Sequence, residues 1–148
     1  EWIDYNGHMN VAYYLLAFDK GTDPFFDELG IGADSARHDR AGPFALQNQI
    51  FFLREVREGD PLRITMQLLD HDHKKVHFFL SMYHGSEGYL AATLEQITAF
   101  VDLETRRTRP FTQETQMKIE ALMAAHRGLP RPPQAGATIA IRRQPAAQ

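Results

Sequence analysis

Asp4-Tyr5-Asn6-Gly7-His8-Met9-Asn10 runs directly into Val11-Ala12-Tyr13-Tyr14-Leu15-Leu16-Ala17-Phe18, and this junction sets the architecture. Apolar side chains at Val11, Tyr14, Leu15, Phe18, Phe25, Phe26 and Leu29 recur with a helical period, while Asp19, Lys20, Asp23, Asp27 and Glu28 fall outside the stripe. That pattern predicts an amphipathic helix over 11–29 with one buried face. Asn10 is suited to cap its N-terminus and Gly30 its C-terminus. Within the stretch, Gly21-Thr22-Asp23-Pro24 predicts a kink or short break, with Asp23 as a new N-cap and Pro24 in the first helical position after it.

Beyond a polar connector over 31–43, containing glycines and Pro43, the period falls to two. Phe44, Leu46, Ile50 and Phe52 alternate with Ala45, Gln47, Gln49 and Phe51. After the turn Gly59-Asp60-Pro61, Leu62, Ile64, Met66 and Leu68 alternate with Arg63, Thr65 and Gln67. A polar turn over Asp70–Lys74 precedes a third run built on Val76, Phe78, Leu80 and Met82. The next turn, His84–Gly88, leads to a fourth strand over Tyr89–Asp102. Four such runs with short joints predict an antiparallel meander. Thr112 opens a last helix over about 113–127, striped by Ile119, Leu122, Met123 and His126 and stopped by Gly128 and Pro130. The fold class is α+β. One domain is expected over 1–129, followed by an extended or disordered tail over 130–148 rich in Pro, Ala, Gln and Arg. A single long helix can fill the concave face of a curled sheet, and a dimer that pairs two edges would protect the strands left open.

Composition narrows the function classes. With a net charge of −3, nothing favours bulk attraction to nucleic acid. The absence of cysteine excludes disulfides, Cys-ligated zinc and thiolate catalysis. No apolar run reaches membrane-spanning length and no signal peptide is visible, so a cytoplasmic location is the default. The chain starts at Glu1 and enters its motif almost at once, so a first strand is expected to be truncated here.

The opening motif places a carboxylate, a glycine turn and a histidine beside a helix N-terminus, where free N–H groups and the macrodipole favour developing negative charge. A base next to such a dipole suits hydrolysis of an activated acyl group. Asp4 reads equally as a turn former, since aspartate ahead of Asn-Gly is common in turns. Gly7 admits torsions and close approaches that a larger residue resists. His8 is suited to orient Asp4 or to lock the turn through backbone carbonyls. Asn10 reads as the cap or as a substrate contact. Trp2, Tyr5, Tyr13 and Tyr14 cluster around the motif, as packing or as aromatic faces for a quaternary ammonium. His71, Asp72 and His73 read as a solvated hairpin turn and not as a metal site, because alternate turn residues seldom converge and no third ligand is evident. His77 lies on the strand face opposite Val76 and Met82, where exposure is expected.

With Asp4 three residues before Gly7-His8, then Met9-Asn10 and a helix carrying Tyr13-Tyr14, the chain resembles the hotdog-fold acyl-CoA thioesterases of the 4-hydroxybenzoyl-CoA thioesterase-like type over residues 1–111. The Gly59-Asp60 turn and the Arg106-Arg107…Pro110 run belong to the likeness. The phrase Trp2–Asn10 is further similar to the thioesterases of bacterial carnitine breakdown, which act on betainyl-CoA. The resemblance implies a long central helix wrapped by a curled antiparallel sheet, with hydrolysis of a small acyl-CoA to free acid and CoA. Asp4 would serve as general base or direct nucleophile, and the backbone N–H of Val11 would polarise the thioester carbonyl. Gly7, His8 and Asn10 would support them. Trp2 and Tyr13 are candidate contacts to the acyl group, and Arg106 and Arg107, with Arg109 beside them, to the phosphates of CoA. No metal and no cofactor beyond the substrate's own coenzyme A is implied. The site would lie between the subunits of a homodimer or a dimer of dimers. A non-catalytic acyl-CoA-binding protein on the same fold is the alternative, and Glu55 and Glu95 receive no role from the likeness.

Overall fold

The computed structural model describes residues 2–141. Helix α1 spans Val11–Leu29, α2 Ala33–His38 and α3 Gln113–His126. Four strands, β1 (Ala41–Phe52), β2 (Leu62–His71), β3 (Lys75–His84) and β4 (Leu90–Asp102), form one antiparallel sheet in the order β1-β4-β3-β2. The expected α+β arrangement is present. Tyr14, Phe18, Phe25, Phe26 and Leu29 of α1 pack against Val76, Phe78, Leu80, Met82, Ala92 and Leu94 on one face of the sheet. Phe78 sits edge-on to both Phe25 and Phe26, at 5.3 and 5.9 Å. At about 2 kcal/mol per buried large apolar side chain, this helix–sheet contact is the main stabilising layer.

The caps of α1 are those expected. Asn10 accepts a hydrogen bond from the Ala12 N–H (2.9 Å), and Gly30, at φ +73°, closes the helix with its N–H on Asp27 O. No break occurs at 21–24: α1 runs through Pro24 as one helix. Pro24 is exposed, so its ring displaces no core contact, and the Thr22 hydroxyl donates to Asp19 O (2.7 Å) one turn back, next to the carbonyl that the proline leaves without a helical donor. Val11 and Leu15, expected on the buried stripe, are 62% and 41% exposed.

Three further expectations change. The connector 31–43 contains α2, and β1 already begins at Ala41; Pro43 is tolerated there because β1 is an edge strand. The strands do not form a simple meander. Only β2-β3-β4 are sequential neighbours, and β1 pairs with β4 on the far side. Finally, β1 carries an irregularity between Ala45 and Gln47. One extra residue reverses the sides on which later side chains stand. Phe44 therefore does not share a face with Ile50 and Phe52, and Phe44, Leu46 and Phe52 remain 40–55% exposed.

α3, capped by Thr112 as expected, docks through buried Ile119, with Leu122 and Met123 half-buried against the core. His126 accepts the Leu68 N–H (2.9 Å), next to a second register shift between Leu68 and Asp70. His77 is not simply exposed: it is half-buried, with Nε2 2.7 Å from Glu95. The chain then crosses the sheet face remote from α1. Gln67 donates to Pro130 O, and the Gly136 N–H donates to Glu95 (2.7 Å). The last seven residues of the expected tail lie outside the described residues.

Candidate active site

Residues 2–10 form a tight loop folded onto the start of α1. Ile3 bridges Met9, the Asp4 N–H donates to His8 O (2.9 Å), the Gly7 N–H donates to Asp4 O (3.0 Å), and the Asn10 N–H donates to Trp2 O (2.8 Å). Gly7 has φ +80°, and a Cβ there would meet nothing within 4 Å. Its torsion, and not a close approach, asks for glycine. The Asp4 carboxylate accepts the Asn6 N–H through Oδ1 (2.8 Å), an Asx-type turn that holds the side chain in place. The loop is tied to the rest of the molecule by the Met9 N–H on Val56 O (3.0 Å).

That bond brings the segment after β1 against the motif. Asp4, His8, Met9, Val11, Tyr14, Phe52, Leu53, Arg54 and Glu55 together line an open cleft of about 340 Å³. Among the described residues the Val11 N–H has no acceptor: the Asn10 side chain takes the Ala12 N–H, and Asn10 O takes those of Tyr13 and Tyr14. A free N–H at the positive end of a helix thus opens beside a carboxylate. His8 points its Nε2 at Glu55 (2.7 Å), and the other Glu55 oxygen receives the Arg57 guanidinium (2.8 Å). Arg57 first and His8 second hold the Glu55 carboxyl below its ordinary range. Tyr14 forms the floor. It is 5% exposed, edge-on to Phe52 at 5.1 Å, and burial pushes its phenol up. Arg54 lies over the Tyr89 ring (3.8 Å), whose hydroxyl donates to Glu55 O (2.8 Å), so the wall carrying Glu55 is itself braced.

The structure therefore gathers Asp4, His8 and the Val11 N–H in one cleft, with Asn10 and Gly7 shaping its approach. It does not bring the other candidates there. Trp2 stacks on Tyr13 at 4.8 Å and lines a neighbouring hollow of about 290 Å³ with Val56, Glu58 and Asp60; Met9 stands between the two. Tyr5 is 97% exposed. Arg106, at φ +59°, and Arg107 occupy the turn after β4, where the Asp102 N–H donates to Arg107 O. The cleft adjoins the other end of that strand, since Leu53 and Arg54 both donate to Ala91 O. Eleven residues of strand put the two ends roughly 30 Å apart. Glu55, Phe52 and Arg54 carry no signal in the sequence. They sit in and beside a charged connector, and only contacts far apart in the sequence place them: the Met9 N–H on Val56 O, the Leu53 and Arg54 N–H groups on Ala91 O, and the Tyr89 hydroxyl on Glu55 O. Among the described residues no cluster of His, Cys, Asp or Glu is arranged to hold a metal ion.

Comparison with known proteins identifies the family. The profile of the Thioesterase-like superfamily matches residues 1–119. The chain is 39% identical to a betainyl-CoA thioesterase of Pseudomonas aeruginosa, over 95% of this chain and 89% of that protein. It is 36% identical, over 94% of its length, to an L-carnitine dehydrogenase/betainyl-CoA thioesterase of Ruegeria pomeroyi, of which it spans 28%. A Staphylococcus aureus protein solved in complex with CoA superposes with a TM-score of 0.88 at 28% identity, covering 95% of this chain and 89% of that one. The chain belongs to the Thioesterase-like superfamily and has its hotdog fold.

Proposed function

We propose that this protein hydrolyses an acyl-CoA thioester in the Asp4 cleft, with betainyl-CoA as its substrate. The observation that carries the mechanism is the Asp4 carboxylate and the unpaired Val11 N–H lining one cleft at the start of α1. The substrate reading rests on the Pseudomonas aeruginosa relative, and the CoA-bound Staphylococcus aureus neighbour supports CoA as the carrier.

In the general-base route, Asp4 takes a proton from water as the water oxygen bonds to the carbonyl carbon. The carbonyl oxygen becomes an oxyanion, which accepts the Val11 N–H in the field of the helix end. Collapse of that intermediate breaks the C–S bond and releases CoA as thiolate, which the proton held by Asp4 neutralises. In the nucleophilic route, an Asp4 oxygen attacks the same carbon, the thiolate leaves from a mixed anhydride, and water then opens it. Both routes need no cofactor. His8, held by Glu55, lines the wall beside the reacting carbon and fixes the loop that carries Asp4. The protein acts as a homodimer in the cytoplasm, where the second subunit completes a cleft that is open in one chain. Contacts from Arg106 and Arg107 to CoA phosphates would have to come from that second subunit.

Asp4→Asn keeps an acceptor for the Asn6 N–H while removing the base. Release of free thiol is expected to fall by about 10³-fold or more in kcat with the fold intact. A variant that turns over at the wild-type rate leaves Asp4 as a turn former only. Single turnover in ¹⁸O-water identifies the anhydride when label appears in the Asp4 carboxylate, which happens only when water attacks the aspartyl carbonyl of that intermediate.

A further inference from the structure

We propose that Phe52 and Glu55, and not the Trp2–Tyr13 stack, select a cationic acyl group in the Asp4 cleft. The inference rests on the thioesterase reading above and adds the residues that set its preference.

Reach decides between the two aromatic sets. In a trimethylammonioacetyl thioester the nitrogen is two bonds from the reacting carbonyl carbon, about 2.5 Å. Whatever recognises the cation must therefore line the cleft that holds Asp4. Trp2 does not: it lines the adjoining hollow, its ring stacked on Tyr13, and the 7%-exposed Met9 stands between. Phe52 does line the cleft and is 52% exposed. Its ring stands at 78° to that of Tyr14, and its exposed half is within reach of an occupant of the cleft. A cation over such a face gains from the ring quadrupole.

Charge points the same way. Two carboxylates, Asp4 and Glu55, line the cleft with one guanidinium, Arg54, which lies on the Tyr89 ring at 3.8 Å; a second guanidinium, Arg57, holds one Glu55 oxygen at 2.8 Å from outside the lining. Asp4 is committed to the reacting carbon, which leaves Glu55 as the fixed anion beside Phe52. Its two oxygens hold His8 and Arg57 and retain lone pairs, so a quaternary ammonium, which donates no hydrogen bond, can approach without displacing either. A trimethylammonium needs this combination of diffuse negative potential and apolar contact, because its charge is sheathed in methyl groups.

The test compares betainyl-CoA with 3,3-dimethylbutanoyl-CoA, which has the same shape with carbon in place of the charged nitrogen. The wild type should prefer the cation in kcat/KM. Phe52→Leu should lower that preference by about 3- to 30-fold, the range of one cation–π contact, and Phe52→Trp should keep or raise it. Each variant's rate on the neutral thioester controls for damage to fold or chemistry. An unchanged preference in Phe52→Leu overturns the assignment, as does a preference lost in Trp2→Leu and kept in Phe52→Leu. A wild type that cleaves both thioesters without preference overturns the selectivity alone. A wild type that cleaves neither overturns the thioesterase reading and this inference with it.

Discussion

At the scale of single residues, His8 carries its imidazole to Glu55, and among the described residues makes no hydrogen bond to the Asp4 carboxylate. Its backbone carbonyl serves Asp4 instead, accepting the Asp4 N–H, so one residue ties the Asp4 loop to the wall of the cleft. Glu55→Gln should therefore misplace the loop. It is expected to lower kcat by about ten- to a hundredfold on the neutral acyl-CoA and by more on the charged one, measured by thiol release, with Asp4 itself untouched. The same substitution has a signature in acid. A carboxyl whose folded pKa is depressed stabilises the fold fully above its unfolded value and loses that contribution as pH falls through the folded one. Glu55 is such a group, as are Asp60, held down first by the Arg57 N–H, and Asp102, held down first by the Thr105 N–H. Thermal melts from pH 7 downward should show the wild type losing stability below the ordinary carboxylate range near pH 4, and Glu55→Gln losing less over the same interval. Asp4 and Val11 were legible in the sequence because a motif and a helix start are local. Glu55 was not, because its partner lies 47 positions away in the chain and nothing in the connector's charge pattern points to it.

At the scale of the element, α1 contains two residues that helices disfavour, for opposite reasons. A Cβ on Gly21 would stand 2.9 Å from Cδ1 and 3.0 Å from Cγ2 of Ile64, so the glycine lets the helix approach β2. Pro24 is exposed and touches no such constraint. Chemical denaturation should separate them. Gly21→Ala gains about 1 kcal/mol of helix propensity and loses about 1–3 to overpacking, so stability should stay level or fall. Pro24→Ala restores a backbone donor to a continuous helix and should raise stability by about 1–3 kcal/mol. Local propensity at Gly21–Pro24 predicts a kink or short break because it disfavours both residues, whereas burial of Phe18, Phe25 and Phe26 on one face keeps the helix unbroken. Strand existence was equally legible from the period-two runs. Strand order was not, because alternation says which face a residue takes and nothing about which neighbour pairs; β1 goes to β4 through a connection that no local pattern encodes. The bulge at Ala45–Gln47 escaped for the same reason, since it appears only against the partner strand.

At the scale of the molecule, apolar surface lies exposed both at the Asp4 cleft and along β1. The Asp4 cleft is open: Val11, Phe52 and Leu53 in its lining are 41–62% exposed, and apolar surface continues at 37–55% exposure on Leu15 and Leu16 farther along α1 and on Phe44 and Leu46 farther along β1. β1 is also an edge, bonded to β4 on one side only, and among its exposed side chains none is a charged gatekeeper: Phe44, Ala45, Leu46, Gln47 and Asn48 follow in sequence. An edge of this kind fits pairing with a second copy about a two-fold axis, which would bury it and wall the cleft at the Phe52 end. If so, assembly and activity are coupled. Leu46→Lys places a charge on the exposed edge without touching the core, so the single chain should still fold. Sedimentation velocity is expected to show wild-type dimer or tetramer and a variant shifted to monomer. Thiol release should fall with dilution of the variant at concentrations where the wild-type specific activity is constant. A wild type that sediments as a monomer at full specific activity would mean that the cleft of a single chain suffices, and that the exposed β1 edge has some other partner.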